Sequence, residues 1–383
     1  MSISRLVLVG GGHSHLGVLR SFAKARERGL SVTLVSPDDA LIYSGMLPGV
    51  IAGHYAVGEA RIPLAPLAAW AGARLVTGRV VALDLASKTV RLASDECIPF
   101  DVLSLNVGSE TDTGVPGACE HAIPARPFEP LLAAWNTVIG EPAGARMRTL
   151  AVVGGGAGGV ELVLSMQHRL RAMGKRHLRC ALVTDATTLL PGHAPGVGRR
   201  LARACSEHGI TMHPGRKARR FVRGAIELDD GREVAAEVVF LATGASAATW
   251  WQASGLGCDE RGFISVSARL QSTTHPFVFA AGDCASRQRD PHPKSGLHAV
   301  RQGPVLARNL RNFFAGAPLE RFRPPRRWLA LIGTGERRAV LSYGALAAEG
   351  AWVWRWKQHI DQGHVARYTQ PGTRTTAARS GGD

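Results

Sequence analysis

Two segments of this chain repeat one local design, and that repeat narrows the possible folds more than any other feature. The first has an apolar run at 6–9, the turn Gly10-Gly11-Gly12, a helical pattern through Leu16, Leu19 and Phe22, and a second apolar run at 31–35. The second has an apolar run at 149–153, the turn Gly154-Gly155-Gly156-Ala157-Gly158-Gly159, a helical pattern through Leu162 and Met166 to Arg171, and an apolar run at 180–183. Strand, glycine turn, helix and strand is the order of a βαβ unit, the crossover that a parallel strand pair requires. One glycine-rich turn is a weak signal. Two in the same strand and helix context point to a pair of dinucleotide-binding domains.

The glycine positions follow from that chemistry. Gly10 and Gly154 permit the sharp exit from the strand, while Gly12 and Gly156 let the backbone at a helix N-terminus approach a pyrophosphate. Gly159 completes the second fingerprint through close helix-to-strand packing, but its counterpart in the first copy is His15. That imidazole either donates to the pyrophosphate or packs at the helix start. His13 and His15 without a nearby carboxylate or thiolate make a poor metal site, so no metal is expected. The acidic residue usual at the end of the next strand is replaced by Ser36 and Thr184, with Asp38 and Asp185 close behind. No arginine immediately follows Thr184, which tilts the expected donor toward NADH over NADPH.

At 383 residues the chain exceeds the roughly 100 to 200 residues usual for one domain, so at least two cores are expected. The formal charge of +16 favours anionic partners: phosphate-bearing cofactors, an acidic membrane surface or nucleic acid. Basic residues are densest at 216–223 and 321–327 with no aromatic reading motif beside them, so nucleic acid is not expected. The six cysteines form no CxxC pair, which argues against a disulfide scaffold or structural zinc. The apolar run at 6–9 begins too early for a signal peptide, and no run of ~18 apolar residues occurs. A cytoplasmic protein without a spanning helix is the resulting expectation.

A third signature reads Val278-Phe279-Ala280-Ala281-Gly282-Asp283, and Ala242-Thr243-Gly244 and Asn106-Val107-Gly108 each follow an apolar run. With these the chain resembles the pyridine nucleotide-disulfide oxidoreductase superfamily. Through Gly10 to His15, Tyr43-Ser44-Gly45-Met46-Leu47-Pro48-Gly49 and His298 to Pro304, it most resembles type II NADH dehydrogenases and the flavoprotein module fused to selenide water dikinase. The resemblance implies an α/β fold with two Rossmann-like, three-layer ββα domains, the NAD(P) domain inserted in the FAD domain. The expected boundaries are 1–118 and 265–322 for the FAD domain, 119–264 for the nucleotide domain, and 323–383 for a small C-terminal segment. It also implies bound FAD, with Asp283 on the ribityl chain, Gln302 near the flavin and quinone, and Glu161 near the nicotinamide. Glu161 equally suits a first-turn residue stabilising its own helix. Ser44, Gly45, Val81, Gly108, Gly244 and Gly282 join the expected nucleotide contacts, together with Asn106. Lys294 is either another contact or an ordinary exposed lysine.

Disulfide reductases of this superfamily carry a cysteine pair in the stretch that here reads 43–48. Without a thiol there, electrons must leave the flavin directly, and a quinone or similar diffusible acceptor fits. Two alternatives stand beside this. One is a sulfide:quinone oxidoreductase-like enzyme using Cys119 and Cys284; the other is a flavin-binding partner module in selenium metabolism. After the breaker 323–327, runs at 328–332 and 339–343 suggest a hairpin. Trp352, Trp354 and Trp356, with Arg355 and Lys357, follow as a strand or helix that either packs on the FAD domain or lies on an anionic membrane face. A homodimer is admitted, and residues 371–383 are expected to be disordered.

Overall fold

The computed structural model describes residues 3–25, 29–142, 148–287 and 293–369; the tail expectation falls outside them. The chain opens with β1 (Ser4–Val9), α1 (His13–Lys24) and β2 (Leu30–Ser36). A short helix α2 (Leu47–Ala52) precedes β3 (Arg74–Thr77) and β4 (Val102–Leu105). Next come β5 (Ile123–Pro124), β6 (Arg148–Val153), α3 (Ala157–Ala172) and β7 (Leu178–Thr184). They lead to α4 (Pro195–Glu207), β8 (Thr211–Pro214) and β9 (Val238–Leu241). The chain returns through β10 (Val278–Ala280) and α5 (Gly296–Phe314). It ends in the meander β11 (Leu329–Gly333), β12 (Ala339–Tyr343) and β13 (Leu346–Gly350), followed by α6 (Ala351–Thr369).

Two parallel sheets result, ordered β10-β4-β1-β2-β3 and β5-β9-β6-β7-β8. Corresponding strands are central in both: Leu6 pairs with Val32 and Val102, as Leu150 pairs with Cys180 and Val238. Their near-continuous apolar runs follow from burial on both faces, since a crossover helix covers one side. The other side carries an antiparallel meander in each unit, made by Val80–Asp84, Thr89–Leu92 and Cys97–Pro99 in the first. Ala218–Val222, Ala225–Leu228 and Glu233–Ala235 form it in the second. The sequence repeat is therefore a repeat of the whole three-layer unit.

The second unit is inserted in the first, but its edges differ from those read in the sequence. Trp251 and Phe263, almost fully buried, pack with Val7, Leu103 and Val278 of the first sheet, so the segment from Ala247 onward belongs to the first domain rather than the second. Ala118, assigned to the first domain, packs with Phe221 and Val239 in the second. The crossing strands Glu110–Thr111 and Ala245–Ser246 pair antiparallel between the two units.

The expected hairpin forms as β11 and β12, and β13 adds a third strand that turn signals did not reveal. Ile332 and Val340 join the core of the second domain while Val365 and Tyr368 of α6 join that of the first, so the C-terminal segment bridges both. No helix among the described residues is long and apolar enough to cross a membrane.

Candidate functional site

The glycine turns at the ends of β1 and β6 are alike in backbone but not in surroundings. Gly154 has φ +132°, and a Cβ there would stand 2.2 Å from Ala242 O, so the backbone itself requires glycine. Gly156 is different: with φ −75°, a Cβ would meet no protein atom within 4 Å. Nothing in the fold excludes a side chain at Gly156, so the space outside the turn is open to an approaching group. No side chain caps α3 there, so its first amides face that open space. The cradle fits a dinucleotide pyrophosphate.

In the first copy a Cβ on Gly12 would lie 2.4 Å from Asn106 Oδ1. That oxygen accepts from Ser14 N at 2.9 Å and His15 N at 3.2 Å, and Asn106 Nδ2 donates to Ala281 O at 2.7 Å. Asn106, expected at the nucleotide, instead ties the ends of β4 and β10 to the start of α1. His15 is likewise turned inward, with Nδ1 2.6 Å from Gly10 O and Nε2 2.9 Å from Ser104 Oγ. Burial lowers its pKa to about 4, so the ring is neutral and holds the turn rather than a phosphate. The side chain aimed elsewhere is His13, which no sequence argument placed at the nucleotide: its buried Nδ1 has no hydrogen-bond partner among the described residues. An orphaned buried nitrogen at a helix start beside the glycine turn fits a polar ligand group.

Asp283 stands in the turn Gly282–Cys284 after β10. Its Oδ2 lies 3.3 Å from Arg126 Nη1, which also donates to Ser109 Oγ at 2.8 Å. Arg126 comes from the link between domains and has no sequence signal. Gln302 is buried, and its Oε1 accepts from Gly282 N at 2.6 Å. It holds the turn that carries Asp283, and is neither solvent-facing nor a demonstrated flavin contact. Lys294 donates to Ala285 O at 2.5 Å and lies 3.7 Å over the Phe263 ring. Gly108, with φ +76°, and Gly244 both face open space. Ser36 and Thr184 end their strands buried, Asp185 is exposed, and Val81 is half-buried in the first meander. Thr184 closes on Gly155, where a Cβ would stand 2.3 Å from its Oγ1.

The two domains meet where α2 packs on α3, with Leu47 and Ile51 entering the second core. That contact brings the stretch 43–48 beside Glu161. Glu161 is the fifth residue of α3, past the first turn, so the helix-capping alternative fails. Its Oε1 accepts from Gly333 N at 2.7 Å. Facing it, Lys357 Nζ on α6 donates to Gly45 O at 2.6 Å and Asp361 Oδ2 at 2.7 Å, and Tyr43 OH donates to Asp361 Oδ1 at 3.1 Å. Burial raises the pKa of both Glu161 and Asp361, and Lys357 opposes the rise in each. Burial pulls Lys357 down, but the two carboxyls outweigh it and keep the ammonium charged. A cleft lined by Gly45, Pro48, Tyr55, Trp354, Lys357 and Asp361 opens here. Ser44 Oγ lies 3.6 Å from where a Cβ of Gly296 at the start of α5 would stand.

Lys357 therefore points inward, against the reading that places it at a lipid surface. Trp354 is also buried, stacked on Tyr55 with ring centroids 6.4 Å apart, whereas Trp352 and Trp356 are exposed. Of the cysteines considered for sulfide chemistry, Cys284 is fully buried and burial raises its pKa to about 11, which disfavours the thiolate that exchange needs. Cys119 is exposed on the short helix Ala118–His121 of the second unit.

The sequence model of the pyridine nucleotide-disulphide oxidoreductase family matches residues 4–303. An NADH dehydrogenase-like protein of Mycobacterium tuberculosis is 25% identical over 380 residues, covering 94% of this chain and 93% of its own. Among solved structures, the sulfide:quinone oxidoreductase of Aquifex aeolicus superposes with a TM-score of 0.81 at 17% identity, covering 96% of this chain and 92% of that one. NDH2 from Plasmodium falciparum, solved in complex with NADH, gives 0.79 at 14% identity, covering 96% and 99%.

Proposed function

Since the chain belongs to the pyridine nucleotide-disulphide oxidoreductase family, we propose that it is an FAD-dependent NAD(P)H dehydrogenase passing electrons to a quinone or similar diffusible acceptor without a redox-active disulfide. The observation that carries this reading is the cluster Glu161, Lys357 and Asp361 closing on Gly45 and Pro48, a stretch that holds no thiol. FAD, when bound, takes hydride from the nicotinamide and releases electrons to the acceptor. The turn at Gly10, with His13 at the start of α1, would hold its pyrophosphate, and Asp283, steadied by Arg126, its ribityl chain. The turn at Gly154, opened by Gly156, would hold the nicotinamide nucleotide. Asp185 at the end of β7 favours NADH, because Arg216, the nearby cation, is engaged with Asp230 at 3.0 Å.

The cluster supplies what acceptor reduction demands of the protein. One ammonium faces two carboxyls that burial disposes to protonation, so the group is arranged to retain a proton beside the cleft. Cleft access and membrane attachment go together. Trp352, Trp356 and Ile360 form an exposed stripe at helical spacing on α6, and Tyr343 and Leu346 are exposed at the neighbouring turn. We assign this face to peripheral contact with an anionic membrane, where a lipid-soluble acceptor would be met. Anaerobic stopped-flow tests the reading. NADH should bleach the yellow protein, and a quinone should restore its colour; protein that binds no FAD, or reduced protein that quinones fail to reoxidise, would overturn it.

A further inference from the structure

Away from the nucleotide turns, three potential metal ligands converge from three separate elements. His168 lies on α3, His208 caps α4, and Glu336 stands in the turn between β11 and β12. Their ligating atoms all lie within 4.8 Å of one another, with His208 Nε2 3.6 Å from Glu336 Oε1. His208 is buried, and its Nδ1 donates to Ala204 O at 3.0 Å. A carbonyl can only accept, so the proton sits on Nδ1 and the lone pair of Nε2 points at the other two groups. This is the carbonyl-fixed tautomer found behind metal-bound histidines. Tetrahedral ligands at about 2.0–2.1 Å from zinc stand about 3.3 Å apart, so the trio must contract, and half-buried His168 and exposed Glu336 have room to move.

We propose that His168, His208 and Glu336 form a zinc-class divalent metal site, with solvent as the fourth ligand. Two imidazoles and one carboxylate suit a borderline cation better than calcium or magnesium, which take oxygen ligands. The ion would brace α3 and α4 against the β11–β12 turn. That turn is already seated on α3, since a Cβ on Gly335 would stand 2.3 Å from Leu164 O, and Gly335 O lies 2.9 Å from His54 Nε2. Gly333, at the start of the same turn, donates to Glu161. A bound metal therefore fixes a wall of the cleft.

The test is equilibrium dialysis of untagged, flavin-loaded full-length protein, stripped with EDTA and exposed to graded Zn²⁺, with zinc measured by plasma mass spectrometry. One zinc per chain is expected. Binding should weaken at least about tenfold in both Glu336→Gln and His168→Gln, and zinc should raise the melting midpoint of the wild type but not of Glu336→Gln. A Cys97→Ser/Cys119→Ser variant should bind zinc normally. Flavin content reports folding, and Glu336→Gln alters an exposed side chain, so a failure of the histidine variant to fold leaves a decisive arm. Absence of stoichiometric binding, or zinc retained by Glu336→Gln but lost with the exposed cysteines, overturns the assignment.

Discussion

Replacing Lys357 with methionine removes the one cation from the cluster while keeping a side chain of similar reach. Two losses follow. Gly45 O loses its 2.6 Å donor, and Asp361, whose side chain is 8% exposed, loses Lys357 and keeps the hydrogen bond from Tyr43. Leaving one member of a buried pair uncompensated costs about 3–5 kcal/mol, and the orphaned carbonyl is part of that cost. Proton uptake limits the penalty at low pH. Burial already raises the Asp361 and Glu161 carboxyls, and the substitution removes the ammonium charge that opposes the rise. A carboxyl whose folded pKa lies above its unfolded value binds protons preferentially in the native state. Its contribution is fully present below the unfolded pKa and is lost as pH rises through the folded one. Lys357→Met should therefore trail wild type least near about pH 5, where the loss at the Gly45 carbonyl remains, and by the full few kcal/mol near about pH 8. Thermal denaturation across that range, with flavin content as the check on folding, measures the gap. A gap that is constant or widens toward acid would refute the account of the cluster. Acceptor reduction should fall at least about tenfold, while NADH-driven flavin bleaching persists.

Gly156→Val should raise the KM for the nicotinamide nucleotide with little loss of flavin, because the new Cβ meets no protein atom within 4 Å and blocks only what approaches from outside. Equal flavin loss would show the domains assigned the wrong way round. Asp283→Ala should weaken FAD retention by at least the ~0.5–1.5 kcal/mol of one hydrogen bond, and also leave Arg126 without its carboxylate partner, as ultrafiltration at graded dilution would detect. Trp352→Ser with Trp356→Ser should abolish flotation with anionic vesicles and leave melting unchanged, whereas Trp354→Ser should lower the melting midpoint through lost contact with Tyr55. Flotation that persists in the double variant would remove the membrane assignment.

Apolar runs and glycine turns made the architecture readable, since they report backbone constraints that any chain in this fold must meet. Side-chain destinations were harder to read. Asn106, His15, Gln302 and Lys294 occur where nucleotide contacts are expected, yet each bonds a neighbouring turn, and only the three-dimensional path shows which way a polar side chain faces. The Lys357–Asp361 pair has the i,i+4 spacing common on solvated helices, and its flanking tryptophans suggest a lipid surface. Its inward direction depends on where α6 docks, a long-range outcome that local pattern does not encode. The extended reach of the first domain to Ala247 was hidden for the same reason: Trp251 and Phe263 are ordinary apolar residues until the sheet that receives them is known.

A shared fold does not transfer a shared mechanism, and the likeness to a sulfide:quinone oxidoreductase is one of fold alone. Sulfide chemistry through Cys284 would require a thiolate, but that thiol is enclosed within hydrogen-bond range of Ala281 O (3.2 Å) and Leu105 O (3.5 Å), and burial holds it protonated. The stretch 43–48, which holds no thiol, is a tight turn whose Gly45 carbonyl receives an ammonium from the last helix. Cys284→Ser should accordingly leave NADH:quinone turnover within about twofold of wild type, because it replaces one small buried donor with another. A loss beyond about tenfold with flavin retained would return a sulfur to the mechanism, and would make the Lys357 cluster a structural brace rather than a source of protons.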